Sequence, residues 1–267
     1  MKAKVNNRKK ELIILFAEER KEKIIKWLNI HDRVQVKELS DELNVSQVTI
    51  RRDLNELEEK GVLLRTHGGA VSLGVGKRYE PSFEDKADKF KKAKVEIGYK
   101  ASKLIKDGDT VIIDSGTTTL QIVKQLNIIK NITFISNSID VFNELKQVSK
   151  DIEILFIGGS YKYNTRAFVG PLAEKTLMNL RVDKAFIGSN GVSFADGFTT
   201  PDLKEAHIKE IMIDISREVY MVTDHSKFGQ VSFCKFAEIE DVDYLITDKI
   251  DDDHILKFKK AGVEVIL

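Results

Sequence analysis

Apolar positions along this chain keep one period near the start and another from about residue 110 onward. Ile24, Ile25 and Leu28 stand at helical spacing and predict a helix over about 18–28. A second helix fits 36–43, and Asn44-Val45 follows as a turn. Ser46 then has the side chain of a good N-cap for a third helix running to Lys60. At ~100° per residue, Ile50, Leu54 and Leu57 of that helix share one face. Gly61 stands where a C-cap glycine belongs. Val62-Leu63-Leu64 reads as a strand, Arg65 to Gly69 as a turn and Ala70-Val71 as a return strand. Three helices and a hairpin predict a winged helix-turn-helix.

A segment with Gly74, Gly76 and Pro81 reads as a linker over 72–81. After it, Phe83, Ala87, Phe90, Ile97, Ala101 and Leu104 alternate spacings of three and four, which predicts one long helix whose stripe Lys94 interrupts. From Thr110 the period shortens. Apolar runs at 111–113, 132–135, 154–157, 185–187, 219–222, 244–246 and 263–266 are separated by helical stretches. Near-continuous apolar strands between helices predict a mainly parallel sheet covered on both faces. The expected organisation is a disordered leader at 1–17, a winged helix-turn-helix at 18–72, a linker and the start of a connecting helix at 73–92, and an α/β effector domain at 93–267. No internal repeat is visible.

Composition narrows the reading. The chain has 267 residues, room for two domains, and its formal net charge of +1 rules out a generally basic coat. Nucleic-acid binding therefore needs a local patch, and 1–26 is rich in Lys and Arg. The single cysteine, Cys234, excludes an internal disulfide and a cysteine-based zinc site; it reads as a small apolar filler on a strand. The five histidines show no paired ligand spacing, so no metal site is expected. No Walker loop or dinucleotide-binding glycine fingerprint occurs, and no cofactor is expected. No apolar run reaches a membrane span. The start resembles a signal peptide faintly, but Glu18 and Glu19 cut its apolar stretch short. A cytoplasmic protein without membrane contact is expected.

Two sets of residues carry candidate chemistry. On the third helix, Gln47, Val48, Arg51, Arg52 and Asn55 fall on the exposed side, with Ser46 and Thr49 at its start. Arg pairs bidentately with guanine, Gln and Asn pair with adenine, and Val touches a thymine methyl. Glu56, Glu58 and Glu59 crowd the other end, as suits a helix that enters a groove N-terminus first. Arg65 and His67 in the turn are candidate phosphate or minor-groove contacts, with His67 equally a turn residue. Double-stranded DNA is the expected partner.

The second set lies at strand ends. Asp114, Ser115, Gly116, Thr117, Thr118 and Thr119 follow the first strand and open a helix, either as a phosphate cradle of N–H and hydroxyl donors or as a capped turn. Ser136 and Asn137 end the second strand, Asn190 and Gly191 follow the fourth, and Lys227 follows the fifth, as a cation for a phosphate or as a solvated loop lysine. Ligands of open α/β sheets bind at the carboxyl ends of strands. Glu205 stands nearby, to bind or to cap and pair on a helix.

Arg20, Ile24, Leu28, Ser46 and Thr49-Ile50-Arg51-Arg52-Asp53-Leu54, followed by Arg65-Thr66-His67-Gly68-Gly69-Ala70, resemble the signature and wing of the DeoR family of repressors. The likeness covers nearly all of the chain after about Ala17. It implies a winged-helix reader joined to a sugar-phosphate-binding domain, and repression of a carbohydrate operon relieved by a phosphorylated sugar. Dimers or tetramers on repeated half-sites are the expected assembly. The effector half also resembles ribose-5-phosphate isomerase, which raises an enzyme alternative. Asp114 to Thr119 looks like its phosphate loop, and Asp224, Ser226 and Lys227 like its Asp-x-Ser-Lys segment. But Ile187-Gly188-Ser189-Asn190 stands where the isomerase has Asp-Gly-Ala-Asp, and Gly197 to Asp202 where it has Lys-Gly-Gly-Gly. Isomerisation needs a carboxylate base, and its loss implies binding without catalysis. A ligand-free structural protein of bound DNA is the remaining alternative, and the converging polar loops argue against it.

Overall fold

A computed structural model describes residues 16–31, 33–66, 68–72, 80, 82–127, 130–149 and 151–267. Most of the expected leader, His67 and most of the expected linker lie outside these residues. The chain divides into two compact units, Met1–Gly76 and Lys77–Leu267.

The first unit holds α1 (Ala17–His31), β1 (Arg33–Gln35), α2 (Val36–Leu43), α3 (Gln47–Glu59), β2 (Leu63–Thr66) and β3 (Gly69–Ser72). Ile24 and Leu28 of α1, Leu39 of α2, and Ile50, Leu54 and Leu57 of α3 pack with Val34, Leu63 and Ala70 into one core. The turn between α2 and α3 is made by Asn44, left-handed at φ 50°, and by Ser46, whose side chain accepts the Thr49 N–H. β1 is a strand that the pattern does not announce. Its three residues alternate only once in burial, and it exists because Val34 pairs antiparallel with Ala70, completing the sheet order β1-β3-β2. The crossing is tight: a Cβ on Gly69 would collide with the Val34 carbonyl.

The second unit begins with α4 (Phe83–Asp88) and α5 (Lys91–Ser102). These replace the single long helix expected over 83–104. Phe90 adopts a left-handed φ of 53° and breaks the helix. Lys94 is the residue that makes the break tolerable. Its buried ammonium donates to the carbonyls of Lys86 and, at 2.7 Å, Lys89, which the end of α4 leaves without helical partners. The apparent flaw in the apolar stripe is therefore a cap.

Beyond it run β4 (Thr110–Ile113), α6 (Thr119–Lys124), β5 (Ile132–Ser136), α7 (Ile139–Val148), β6 (Ile152–Phe156), β7 (Ser160–Lys162), β8 (Ala167–Val169), α8 (Pro171–Leu177), β9 (Val182–Gly188), β10 (Gly191–Ser193), β11 (Gly197–Thr200), α9 (Leu203–Asp214), β12 (Ser216–Val222), β13 (Cys234–Ala237), β14 (Tyr244–Ile246), α10 (Asp252–Lys260) and β15 (Glu264–Ile266). Seven strands form one parallel sheet in the order β15-β14-β12-β9-β4-β5-β6. Its strands alternate between two cores. Val111, Ile113, Phe186 and Tyr220 meet α5, α6 and α7 on one face; Ile112, Ala185, Ile187 and Met221 meet α8, α9 and α10 on the other. The inner strands β4, β9 and β12 are thus apolar on both sides, which is why they read as continuous runs, whereas the edge strand β6 exposes Glu153 and Leu155. α5 lies close on α6: a Cβ on Gly98 would collide with the Gln121 backbone. The small antiparallel sheet β10-β11-β13 and the hairpin β7-β8 complete the unit. Cys234 is buried at the start of β13.

Candidate functional site

In the first unit, α3 presents two faces. Ile50 and Leu54 are fully buried, whereas Gln47, Val48, Arg51, Arg52 and Asn55 are exposed, Val48 at 73%. Among the described residues, the guanidiniums of Arg51 and Arg52 have only long contacts, to Gln47 and Glu56, each at 3.4 Å. Ser46 Oγ lies 2.9 Å from half-buried Thr49 Oγ1. The structure puts Arg65 to a different use from the other arginines. Its guanidinium donates to the Arg51 carbonyl at 2.9 Å, to Asn55 Oδ1 at 2.7 Å and to the Gly69 carbonyl at 3.2 Å, and its N–H donates to Glu58 at 2.9 Å. Burial lowers its pKa, against the pull of Glu58. Arg65 therefore fastens the β2-β3 wing to α3. Underneath, Arg20 of α1 grips Asp53 of α3 through two bonds of 2.5 and 2.9 Å, both side chains nearly buried.

In the second unit, the carboxyl ends of β4, β9, β12 and β14 gather the strand-end loops. Residues 114–118 are not a capped turn. Thr118 makes no capping bond, and Thr119 Oγ1 instead donates to the Asp114 and Gly116 carbonyls at 2.7 and 3.0 Å. Among the described residues, the backbone N–H groups of Ser115, Gly116, Thr117, Thr118 and Thr119 have no acceptor. α6 is too short to add much dipole, so this run of N–H donors is the feature that suits an anion.

Asp114 is buried beside that run. Its carboxylate accepts the Gly188 N–H at 3.1 Å and the Lys209 ammonium, and Lys209 also donates to the Gly188 carbonyl at 2.9 Å. Glu205, one helical turn before Lys209 on α9, accepts Thr165 Oγ1 at 2.5 Å and lies 3.5 Å from Lys162. Burial opposes the Glu205 charge, but Lys162, Lys86 and Lys209 outweigh it and lower the pKa. Asp224 holds Ser226 by its N–H at 3.0 Å and its hydroxyl at 2.5 Å, and the Lys227 N–H donates to the Asp224 carbonyl at 3.1 Å. Asn190 accepts Thr200 Oγ1 at 3.3 Å, and Gly191 sits where a Cβ would collide with the Gln230 carbonyl.

Ser136 and Asn137 are placed differently. The Asn137 amide donates to the Phe168 carbonyl at 2.9 Å, its own carbonyl accepts the Phe168 N–H at 2.8 Å, and Ser136 Oγ accepts the Ser138 N–H at 3.1 Å. They lie buried under the β7-β8 hairpin. Several buried oxygens at strand ends have no partner among the described residues: Asn137 Oδ1, Ser189 Oγ, Thr223 Oγ1 and Thr247 Oγ1. Buried polar atoms are usually bonded, so such a gathering marks a place for ligand or water. Lys86, Lys162, Thr165 and Lys209 were not among the expected site residues. Only Lys209 had a signal, its i,i+4 spacing from Glu205; the others arrive through tertiary contacts.

Lys94 joins this region electrostatically. Burial lowers its pKa from 10.5 to about 8, with Asp224 opposing and Lys227, Lys86 and Lys89 adding to the shift. Between pH 8 and 10.5 the unfolded chain holds a proton that the folded chain has lost, so stability is expected to rise with pH in that window. Urea unfolding at pH 7.5 and 9.5 should show a larger rise in the parent than in Lys94→Met; equal pH slopes would remove Lys94 as a source of the rise.

Among the described residues, no helix is long and apolar enough to cross a membrane, and no His, Cys, Asp and Glu group could hold a metal ion. A helix-turn-helix with an exposed, arginine-bearing third helix, ahead of an α/β unit with an anion-suited strand edge, defines a DNA-binding transcription regulator. The chain matches the DeoR-like helix-turn-helix domain over residues 20–74 and the DeoR C terminal sensor domain over residues 89–249, and it belongs to the DeoR family. It is 39% identical to the HTH-type transcriptional regulator FruR of Bacillus subtilis, over 86% of this chain and 90% of that one. It is 37% identical to a lactose phosphotransferase system repressor of Staphylococcus epidermidis, over 93% of this chain and 98% of that one. Among solved structures it is similar to ribose 5-phosphate isomerase A from Methanocaldococcus jannaschii, at 17% identity and a TM-score of 0.36, over 52% of this chain and 54% of that one.

Proposed function

We propose that the protein represses a carbohydrate-utilisation operon in the cytoplasm and releases its operator when a phosphorylated sugar binds the strand edge of the second unit. The observation that carries this reading is the run of acceptor-free N–H groups at 115–119 beside the Asp114–Lys209 pair. The N–H run takes the phosphate, and Asp114, Asn190 and Glu205 take sugar hydroxyls. Gln47, Val48, Arg51, Arg52 and Asn55 read bases in the major groove, while Ser46 and Thr49 meet phosphates. A homodimer or homotetramer would match repeated half-sites. DNA and effector favour different states of the protein, so each weakens binding of the other.

The second unit binds without catalysing. Asp114, Glu205 and Asp224 are each already held by partners of their own. Moving a proton beside a carbonyl needs a carboxylate that can exchange one, and 187–190 supplies none.

Fluorescence anisotropy on the DNA upstream of the protein's own operon, titrated with phosphorylated hexoses, pentoses and polyols, tests the reading. Release by one compound supports it. Turnover of that compound by the purified protein would restore the isomerase alternative. Lys227→Ala is expected to raise the effector concentration needed for release about tenfold, equivalent to ~1.4 kcal/mol, and to spare DNA binding. An unchanged release curve would remove Lys227 from the site.

A further inference from the structure

The effector edge is lined by more than strand-end loops. Glu80 is a described residue of the expected linker, and it is bonded into the edge: Lys162 donates to Glu80 at 2.9 Å and lies 3.1 Å from Asp202 and 3.5 Å from Glu205. α4 follows at once and is held down at its start. Phe83 is buried under the guanidinium of Arg166, 5.0 Å from the ring, and Arg166 also pairs with Glu84 and, at 3.2 Å, with Asp140. Its far end is fixed by Lys94, as described above.

This frame carries Lys86 into the edge. The side chain is half-buried, and its ammonium has no hydrogen bond or ion pair among the described residues. Glu205 and Glu80 lie within electrostatic reach, but both are engaged by Lys162. Lys227 and Lys209 are also within reach and repel it. Burial comes first among the causes that lower its pKa. A partly buried, unpaired cation among like charges is costly, and an arriving anion would relieve that cost.

We infer that Lys86 is an effector-binding residue, the cation that meets the anionic group of the effector from the helix following the linker. This rests on the sugar-phosphate reading above and extends it. The bound anion then bridges the strand-end loops and the segment that leads out of the DNA-binding unit, so effector occupancy is registered where the two units are joined in sequence.

Thermal unfolding of the full chain with inorganic phosphate as the probe tests this. Lys86→Met and Lys86→Arg are compared with the parent, all carrying Arg51→Ala and Arg52→Ala so that the third helix offers no competing anion site. Phosphate is expected to raise the unfolding temperature of the parent, since a ligand of the native state alone stabilises it. Lys86→Met should need at least tenfold more phosphate for the same shift, with an equal or higher unfolding temperature in its absence, and Lys86→Arg should keep the response. An unaltered phosphate response in Lys86→Met overturns the inference and leaves the sugar-phosphate reading standing. A Lys86→Met protein much less stable than the parent without phosphate assigns Lys86 a structural role and also overturns it. If neither phosphate nor any phosphorylated sugar shifts the parent, the underlying reading fails and the inference with it.

Discussion

Asp53→Ala is expected to unfold the DNA-binding unit while leaving the second unit folded. Asp53 is 3% exposed, and its carboxylate takes both bonds from Arg20, which is itself 9% exposed. Breaking a buried ion pair by removing one partner costs about 3–5 kcal/mol. A unit of this size has only about 5 kcal/mol to lose. The loss falls on α3, because this pair ties α3 to α1. Urea unfolding followed by circular dichroism should show an early transition that appears, or moves to much lower urea, in the variant. Two transitions must be fitted separately, since a chain of two units need not unfold as one. A double replacement of Arg20 and Asp53 by Met and Leu should recover much of the stability, because buried pairs often cost as much to desolvate as they return. If Asp53→Ala leaves the early transition where the parent has it, the pair is not what holds α3 to α1.

The same residues show what the sequence discloses and what it withholds. Ile50, Leu54 and Leu57 could be assigned to the core because a helix repeats its faces every few residues, and the apolar runs of the second unit could be assigned to a sheet because both faces of its inner strands are covered. The exposed set on α3 follows from the same geometry. Tertiary pairing leaves no such trace. Asp53 stands in the chain as one polar residue among several, and nothing local says that Arg20 reaches it. β1 depends on Val34 meeting Ala70, and Lys94 looked like a flaw because its acceptors belong to the preceding helix. At the strand edge, the 114–119 loop was legible from its glycine and hydroxyl residues. Lys162 and Thr165 were not, since a hairpin absent from the pattern delivers them to Glu205. Arg65 was legible as a wing residue, but its bonds to Arg51 and Asn55 make it a brace.

That distinction sets the expected outcome for the arginines. Arg51→Ala and Arg52→Ala are each expected to weaken operator binding by ~1–3 kcal/mol, or roughly 5- to 150-fold, if the guanidinium reads a guanine. Both side chains are exposed and, among the described residues, hold only contacts of 3.4 Å, so stability should stay within about 0.5 kcal/mol of the parent. Scrambled DNA separates base reading from phosphate contact. A base-reading arginine loses operator affinity while binding to scrambled DNA changes little. A phosphate-contacting one loses both together, and the slope of log affinity against log salt falls by about 0.9 per contact. Arg65→Ala should behave in a third way. With its bonds to α3 gone, the wing loosens, stability drops by more than in either surface variant, and DNA binding falls with it. Operator binding unchanged in both Arg51→Ala and Arg52→Ala would mean that the exposed face of α3 is not the surface that meets DNA.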